Sequence, residues 1–137
     1  MKPVSLTLAL ALLCLATIFQ GCAVMLVGAA AVGTTAGTIS YFGNELYVLH
    51  EVDLETAWKA AQTTVSELQF QTEPNRCTKD GIKGVLFARN AQKQQVVITV
   101  LRRMEKLTEI RIRVGVFDTA ANREAAQVIY QKMRTKM

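Results

Sequence analysis

Hydrophobic and polar positions divide the chain into two unlike parts. Residues 3–44 contain no Asp, Glu, Lys, Arg or His, whereas residues 45–137 carry all 11 acidic residues and all but one of the 16 basic residues. Within the charged part, apolar residues recur with the periods of strands and helices, which is typical of a globular domain. We therefore expect one folded domain over 45–137, preceded by segments with another purpose.

The charged part predicts strands and helices in the order β-α-β-β-β-β-α. Residues 46–52 alternate as a short strand, and Asp53 then caps a helix over 54–69 whose apolar stripe includes Trp58. A short strand over 70–73 follows. Three strands of a meander come next, predicted over 83–90, 95–103 and 108–117. A last helix, capped by Asp118 or Thr119, carries the apolar stripe Ala121, Ala125, Val128, Ile129 and Met133.

The last meander strand has a clear inner and outer side, because Ile110, Ile112 and Val114 alternate with Arg111 and Arg113. The register of the strand before it is open. A four-residue loop would pair Leu101 with Ile110, and a three-residue bulged loop would pair Val100 with Ile110. We favour the bulged loop, which gathers one apolar face: Val85, Phe87, Val96, Ile98, Val100, Ile110, Ile112 and Val114.

These elements predict an α+β fold, a two-layer sandwich in which two helices cover one face of a mostly antiparallel sheet of four or five strands. The other face would carry Arg103, Arg111 and Arg113, with Leu86, Val97 and Leu101 among them. Because it mixes cationic and apolar side chains, this outer face is a candidate partner surface.

The N-terminus resembles a bacterial lipoprotein signal. Lys2 precedes an apolar stretch over 4–19, and Ile18-Phe19-Gln20-Gly21-Cys22 follows at once. The small Gly21 would let the lipoprotein signal peptidase cleave before Cys22, so residues 1–21 are the predicted signal peptide. Cys22 is the predicted lipidation site, with covalent diacylglycerol and an N-acyl lipid and no other cofactor.

Lipidation makes the bilayer the first expected partner, because two or more acyl chains anchor a protein stably. Ala23 stands where an inner-membrane retention Asp would be. By resemblance to known bacterial sorting rules, the expected location is the outer membrane, facing the periplasm.

Residues 22–44 form the lipidated cysteine and a Gly/Ala-rich segment with two interpretations. The segment over 23–42 has the length of a membrane-spanning helix, yet its glycines and hydroxyl residues suit a tether at the membrane surface. Ala29, Gly33 and Gly37 recur every four residues, a spacing that lets helices approach closely in lipid. The alternative to a tether is therefore a membrane-inserting homo-oligomer packed through this stripe.

The charged part offers little catalytic chemistry. His50 has no partner for a zinc site, and no nucleophile motif, P-loop or dinucleotide fingerprint is present. Cys77, in a predicted turn, is a lone cysteine or a reactive thiol. The basic residues are interspersed with acids and lack aromatic platforms, so we expect no nucleic acid partner. We expect no enzyme and no metal.

Several segments resemble domain of unknown function family 3568, small bacterial lipoproteins. They are Gly21-Cys22-Ala23 with the following Gly/Ala run, Ala57-Trp58-Lys59-Ala60, and the strand Thr108-Glu109-Ile110-Arg111-Ile112-Arg113-Val114-Gly115. The resemblance implies localisation and fold but transfers no catalytic residue. The predicted tether and the mixed outer face, rather than the resemblance, motivate the expected function: a non-enzymatic envelope lipoprotein that binds or scaffolds an envelope protein or an anionic lipid or glycan.

Overall fold

The computed structural model describes residues 38–137, which form an α+β sandwich as predicted. All strand pairings are antiparallel, and the sheet order is β1-β2-β7-β6-β5-β3, with β4 also paired to β5. The elements are β1 Ser40–Phe42, β2 Glu45–His50, α1 Leu54–Glu67, β3 Gln71–Thr72, a 3-10 turn Pro74–Arg76, β4 Thr78–Lys79, β5 Lys83–Arg89, β6 Gln95–Met104, β7 Leu107–Val114 and α2 Ala120–Arg134.

The sheet has seven strands, more than the four or five predicted. The strand predicted over 70–73 is present as β3, which is two residues long. The two additional strands are β4, also two residues long and paired with β5, and β1. Strand β1 lies within the segment predicted as tether and pairs with β2 through a turn in which Gly43 has φ +61°. A positive φ at the first turn position suits glycine and closes a tight hairpin. Residues 40–42 therefore belong to the sheet.

Helix α1 begins where the sequence predicts. The Asp53 side chain accepts a hydrogen bond from the Thr56 N–H at 2.8 Å. The predicted stripe is buried, from Leu54 to Val65. The helix ends at Glu67, two residues earlier than predicted, and Gln69 takes a positive φ of 56° that turns the chain toward β3.

Helix α2 buries part of the predicted stripe: Ile129 and Met133 are buried as predicted, and Ala125 packs half-buried against the core. Thr119 caps the helix, but Val128 is 50% exposed and Ala121 is exposed. The buried residues are Asn122, Ala126, Ile129, Tyr130 and Met133. The large Tyr130 ring buries more surface than Val128 could, and Asn122 donates to the Phe117 carbonyl at 2.8 Å, which fixes the rotation of the first turn.

The predicted register between the last two strands is confirmed. Val100 pairs with Ile110, Ile98 with Ile112 and Val96 with Val114, and a bulge lies between Arg102 and Met104. Strand β7 ends at Val114, earlier than predicted.

The predicted inner face of β5 was wrong. Leu86 pairs with Ile98 on the buried side, whereas Val85 and Phe87 lie on the outer side. All four residues over 85–88 are apolar, so either side of this strand could be the buried one and the sequence pattern does not distinguish the two. Gly84 decides the register, because on the inner side it leaves room for the Trp58 ring of α1.

Candidate binding surface

The sheet face opposite the helices is the outer face predicted for Arg111 and Arg113. Ile110, Ile112 and Val114 are each 0% exposed toward the helices. Since neighbouring residues of a strand point to opposite faces, Arg111 and Arg113 lie on the open face. The predicted orientation of this strand is confirmed.

Glu109 is the centre of a charged cluster on the open face. Arg103 donates from Nε to Glu109 Oε2 at 2.7 Å, and Arg111 donates from Nε to Glu109 Oε1. The carboxylate belongs to a residue that is only 9% exposed. Its burial acts to raise the pKa, but the hydrogen bonds from Arg103 and Arg111 outweigh burial and hold the pKa of Glu109 below its ordinary value.

Arg111 is also held from the neighbouring strand. Its guanidinium carbon lies 4.9 Å from the centre of the Tyr47 ring, a cation-π contact. The Tyr47 hydroxyl donates to Glu45 Oε2 at 2.6 Å, and this hydrogen bond, followed by burial, raises the pKa of Tyr47. Arg111 is therefore fixed between a carboxylate and a ring.

Arg113 has a different environment from Arg103 and Arg111. It lies between Glu45 of β2 and Val97 of β6 in the sheet. Within residues 38–137, no acidic side chain forms an ion pair with it. Of the three predicted arginines, Arg113 is the one whose charge is left for a partner in the described structure.

A second cluster covers the β5 side of the open face. Glu73 accepts from Arg76 at 2.9 Å and from Arg89 at 2.6 Å, and these hydrogen bonds lower its pKa. The Arg76 guanidinium lies 4.2 Å from the centre of the Phe87 ring. On this side of the open face too, arginines are held in place by a carboxylate and a ring. Sequence reasoning placed Glu109 on the outer side with Arg111 but gave it no role, and it missed Tyr47 and Glu73. Strand parity could have placed Tyr47 beside Arg111.

His50 and Cys77 are both accounted for by the fold. His50 is buried against Tyr130, with ring centres 6.5 Å apart, and burial followed by the Arg134 charge lowers its pKa. Cys77 Sγ accepts the Phe87 N–H at 3.4 Å, between the short strands β3 and β4. Among residues 38–137, no three His, Cys, Asp or Glu side chains cluster in a way that could hold a metal.

Cys22 and the stripe of Ala29, Gly33 and Gly37 lie outside the described residues. In the described part of the chain, neither helix is long and apolar enough to cross a membrane.

Comparison with known proteins gives a family without an assigned activity. No curated protein matches the chain. A family model described as "Protein of unknown function (DUF3568)" matches residues 4–132, nearly the whole chain. The chain therefore belongs to the DUF3568 family of proteins of unknown function.

Proposed function

We propose that this protein is a lipid-anchored lipoprotein of the bacterial envelope whose domain is a non-enzymatic binding or scaffolding module. The observation that carries the proposal is the Gly21-Cys22 pair directly after the apolar stretch over 4–19, preceded by Lys2. Acylated Cys22 anchors the chain in the outer membrane, and the domain faces the periplasm.

The open face supports the binding role. Arg103 and Arg111 are held by Glu109, and Arg113 has no ion pair within residues 38–137. Guanidinium groups that are fixed before binding lose less conformational freedom when a partner arrives. The partner proposed for this face is an envelope protein or glycan that presents carboxylate or phosphate groups.

Metabolic labelling with palmitate tests the anchor. Cys22→Ser should abolish labelling and block processing, because the cysteine is both the acylated residue and the first residue after cleavage. Cys14→Ser and Cys77→Ser are matched controls, since they remove the other two cysteines of the chain. Palmitate incorporation that survives Cys22→Ser would overturn the lipoprotein proposal.

Photo-crosslinking in cells tests the binding face. A photoreactive residue at Thr99, at the centre of the open face, should form adducts with a partner. The same residue at Gln127, exposed on α2, is the control and should form none. Equal adducts at both positions, or none at Thr99, would contradict a partner on the open face.

The oligomer alternative is tested in the same cells. Chemical crosslinking should trap homo-oligomers that disappear on Gly33→Ile with Gly37→Ile if the small-residue stripe packs between chains. A monomeric wild-type chain would support the tether.

A further inference from the structure

Three loops lie together at one end of the sheet. The strand pairs Phe42 with Glu45, Glu45 with Arg113, and Arg89 with Gln95 place them there. The loops are the β1–β2 turn, the β5–β6 loop over 90–94 and the segment over 115–119 between β7 and α2. Asn44 of the first loop donates to the Gly115 carbonyl at 3.4 Å, so the first and third loops touch.

Large apolar side chains project from this end into solvent. Phe42 is 81% exposed, and Val116 and Phe117 are each 76% exposed. We call this set of three residues and its loops the aromatic end. Clustered exposed apolar residues mark interaction sites, because water disfavours them and packing within the domain does not require them.

Cationic side chains line the β5–β6 side of the aromatic end. A depression of about 570 Å³ is lined by Arg76, Arg89 and Lys93 together with Val116 and Phe117. Glu73 faces Arg76 and Arg89, which leaves a surplus of positive charge. Asp118, the acidic residue of the third loop, is paired with Arg123 at 2.6 Å.

The opposite end of the sheet has another composition. Its β6–β7 hairpin exposes Met104, which is 68% exposed, beside Glu105 and Lys106, and Glu51 and Asp53 lie close to it. Acidic residues are therefore mixed with the exposed apolar residue there. Only the aromatic end combines exposed phenylalanines with a net positive rim in the described structure.

We propose that the aromatic end docks on an anionic phospholipid bilayer. Phe42, Val116 and Phe117 enter the interfacial region, and Lys93, with Arg89, faces lipid phosphates. Aromatic residues surrounded by cations are the composition that binds membrane interfaces.

This inference rests on the proposed lipid anchor, which supplies proximity. Residues 23–37 separate Cys22 from the first described residue, Thr38. Even fully extended at ~3.3–3.6 Å per residue, that segment reaches about 50 Å, so an acylated chain keeps the domain beside the bilayer. Weak interfacial contacts then act at high effective concentration.

Fluorescence quenching by brominated phospholipids tests the docking. The full chain is reconstituted in vesicles that contain phosphatidylglycerol, with tryptophan introduced by Phe117→Trp, by Phe42→Trp, or by the control Met104→Trp at the opposite end. Trp58, 8% exposed, contributes the same buried background in all three. We expect quenching at positions 117 and 42 to exceed that at 104 by at least about twofold, since bromines lie within the bilayer.

Charge is tested separately. Lys93→Glu should reduce quenching of the position 117 tryptophan, and so should replacing phosphatidylglycerol with neutral phosphatidylcholine. Lys106→Glu, in the β6–β7 hairpin, is the matched control and should leave quenching unchanged. High salt should act like Lys93→Glu, because screening shortens the reach of exposed charges.

The proposal is overturned if the tryptophan at position 104 is quenched as strongly as that at position 117. It is also overturned if neither is quenched, the result expected if a protein or a second copy of the chain covers the aromatic end. Equal quenching in neutral lipid would overturn the anionic preference. Palmitate labelling of the same preparation separates the two proposals. A labelled chain without quenching refutes docking alone, and an unlabelled chain with quenching at 117 refutes the lipid anchor alone.

Discussion

The contact between Gly84 and Trp58 gives a direct test of the register of β5. A Cβ added at Gly84 would lie 2.5 Å from Trp58 Cε3, 2.8 Å from Cζ3 and 3.0 Å from Val100 Cγ2. Carbon atoms in contact are ordinarily ~3.5–4.0 Å apart, so the ring would have to move by about 1 Å. Trp58 belongs to the buried core, where close packing opposes such a movement.

Gly84→Ala should therefore destabilise the domain by about 1–3 kcal/mol, the usual cost of overpacking a core. For a domain of this size, that corresponds to a decrease in Tm of about 5–20 °C. The described residues, 38–137, lie in one compact unit, and thermal unfolding of this fragment followed by circular dichroism gives both quantities.

Gly81→Ala is the matched control, because a Cβ at Gly81 meets no atom within 4 Å. Its effect on Tm should be small. Trp58→Phe should relieve the clash, so the double variant should lose less stability than the sum of the two single variants. If Gly84→Ala is as stable as Gly81→Ala, then Trp58 does not lie on Gly84, and the inner face assigned to β5 is refuted.

The two faces of the sheet predict different responses to substitution and pH. Ile112→Asp should unfold the domain, because an unpaired carboxylate at this fully buried position costs several kcal/mol, whereas Arg113→Gln should change the free energy of unfolding by less than about 0.5 kcal/mol in urea titrations. Glu109→Gln should cost about 1–2 kcal/mol at neutral pH, since it removes the charge that holds two guanidinium groups; this cost should disappear in acid, as the wild-type carboxylate is protonated below its lowered pKa. Because burial lowers the pKa of His50, wild-type Tm should fall as pH drops from above the ordinary histidine pKa through the lowered one. His50→Gln should flatten this part of the Tm profile, and an unchanged slope would contradict the role of His50.

Sequence alone predicted the parts of the fold where one side of an element is clearly polar. Ile110, Ile112 and Val114 alternate with charged residues, so β7 could be oriented, and pairing Val100 with Ile110 then followed from gathering the apolar side chains. Asp53 likewise located the start of α1.

Where both sides of a strand are apolar, the sequence pattern does not show which side is buried. In β5, Val85 and Phe87 compete with Leu86 and Ala88 for the buried side, and the decision depends on the tertiary contact of Gly84 with Trp58. Strand β1 has no strand period of its own, and its pairing with β2 is also a tertiary effect.

The sequence predicted which arginines lie on the candidate surface but not how they are paired. Parity placed Arg111 and Arg113 outward, but parity alone cannot show which charges are already paired. That Arg103 and Arg111 share Glu109 while Arg113 lacks an ion pair within residues 38–137 depends on side-chain geometry across strands.

If the aromatic end docks on the membrane, the open face has a part near the bilayer and a part far from it, because the strands extend from that end to the opposite end of the sheet. Arg113 pairs with Val97, close to the start of β6, whereas Arg103 lies near the far end of the same ten-residue strand. At ~3.3 Å per residue, Arg103 would stand about 25 Å farther from the bilayer than the aromatic end. The Debye length is about 8–10 Å at physiological salt, so lipid charge would act on Arg113 and leave Arg103 almost unaffected. The cluster of Arg103, Glu109 and Arg111 would then remain available to a protein or glycan partner while the other end of the sheet is held at the membrane.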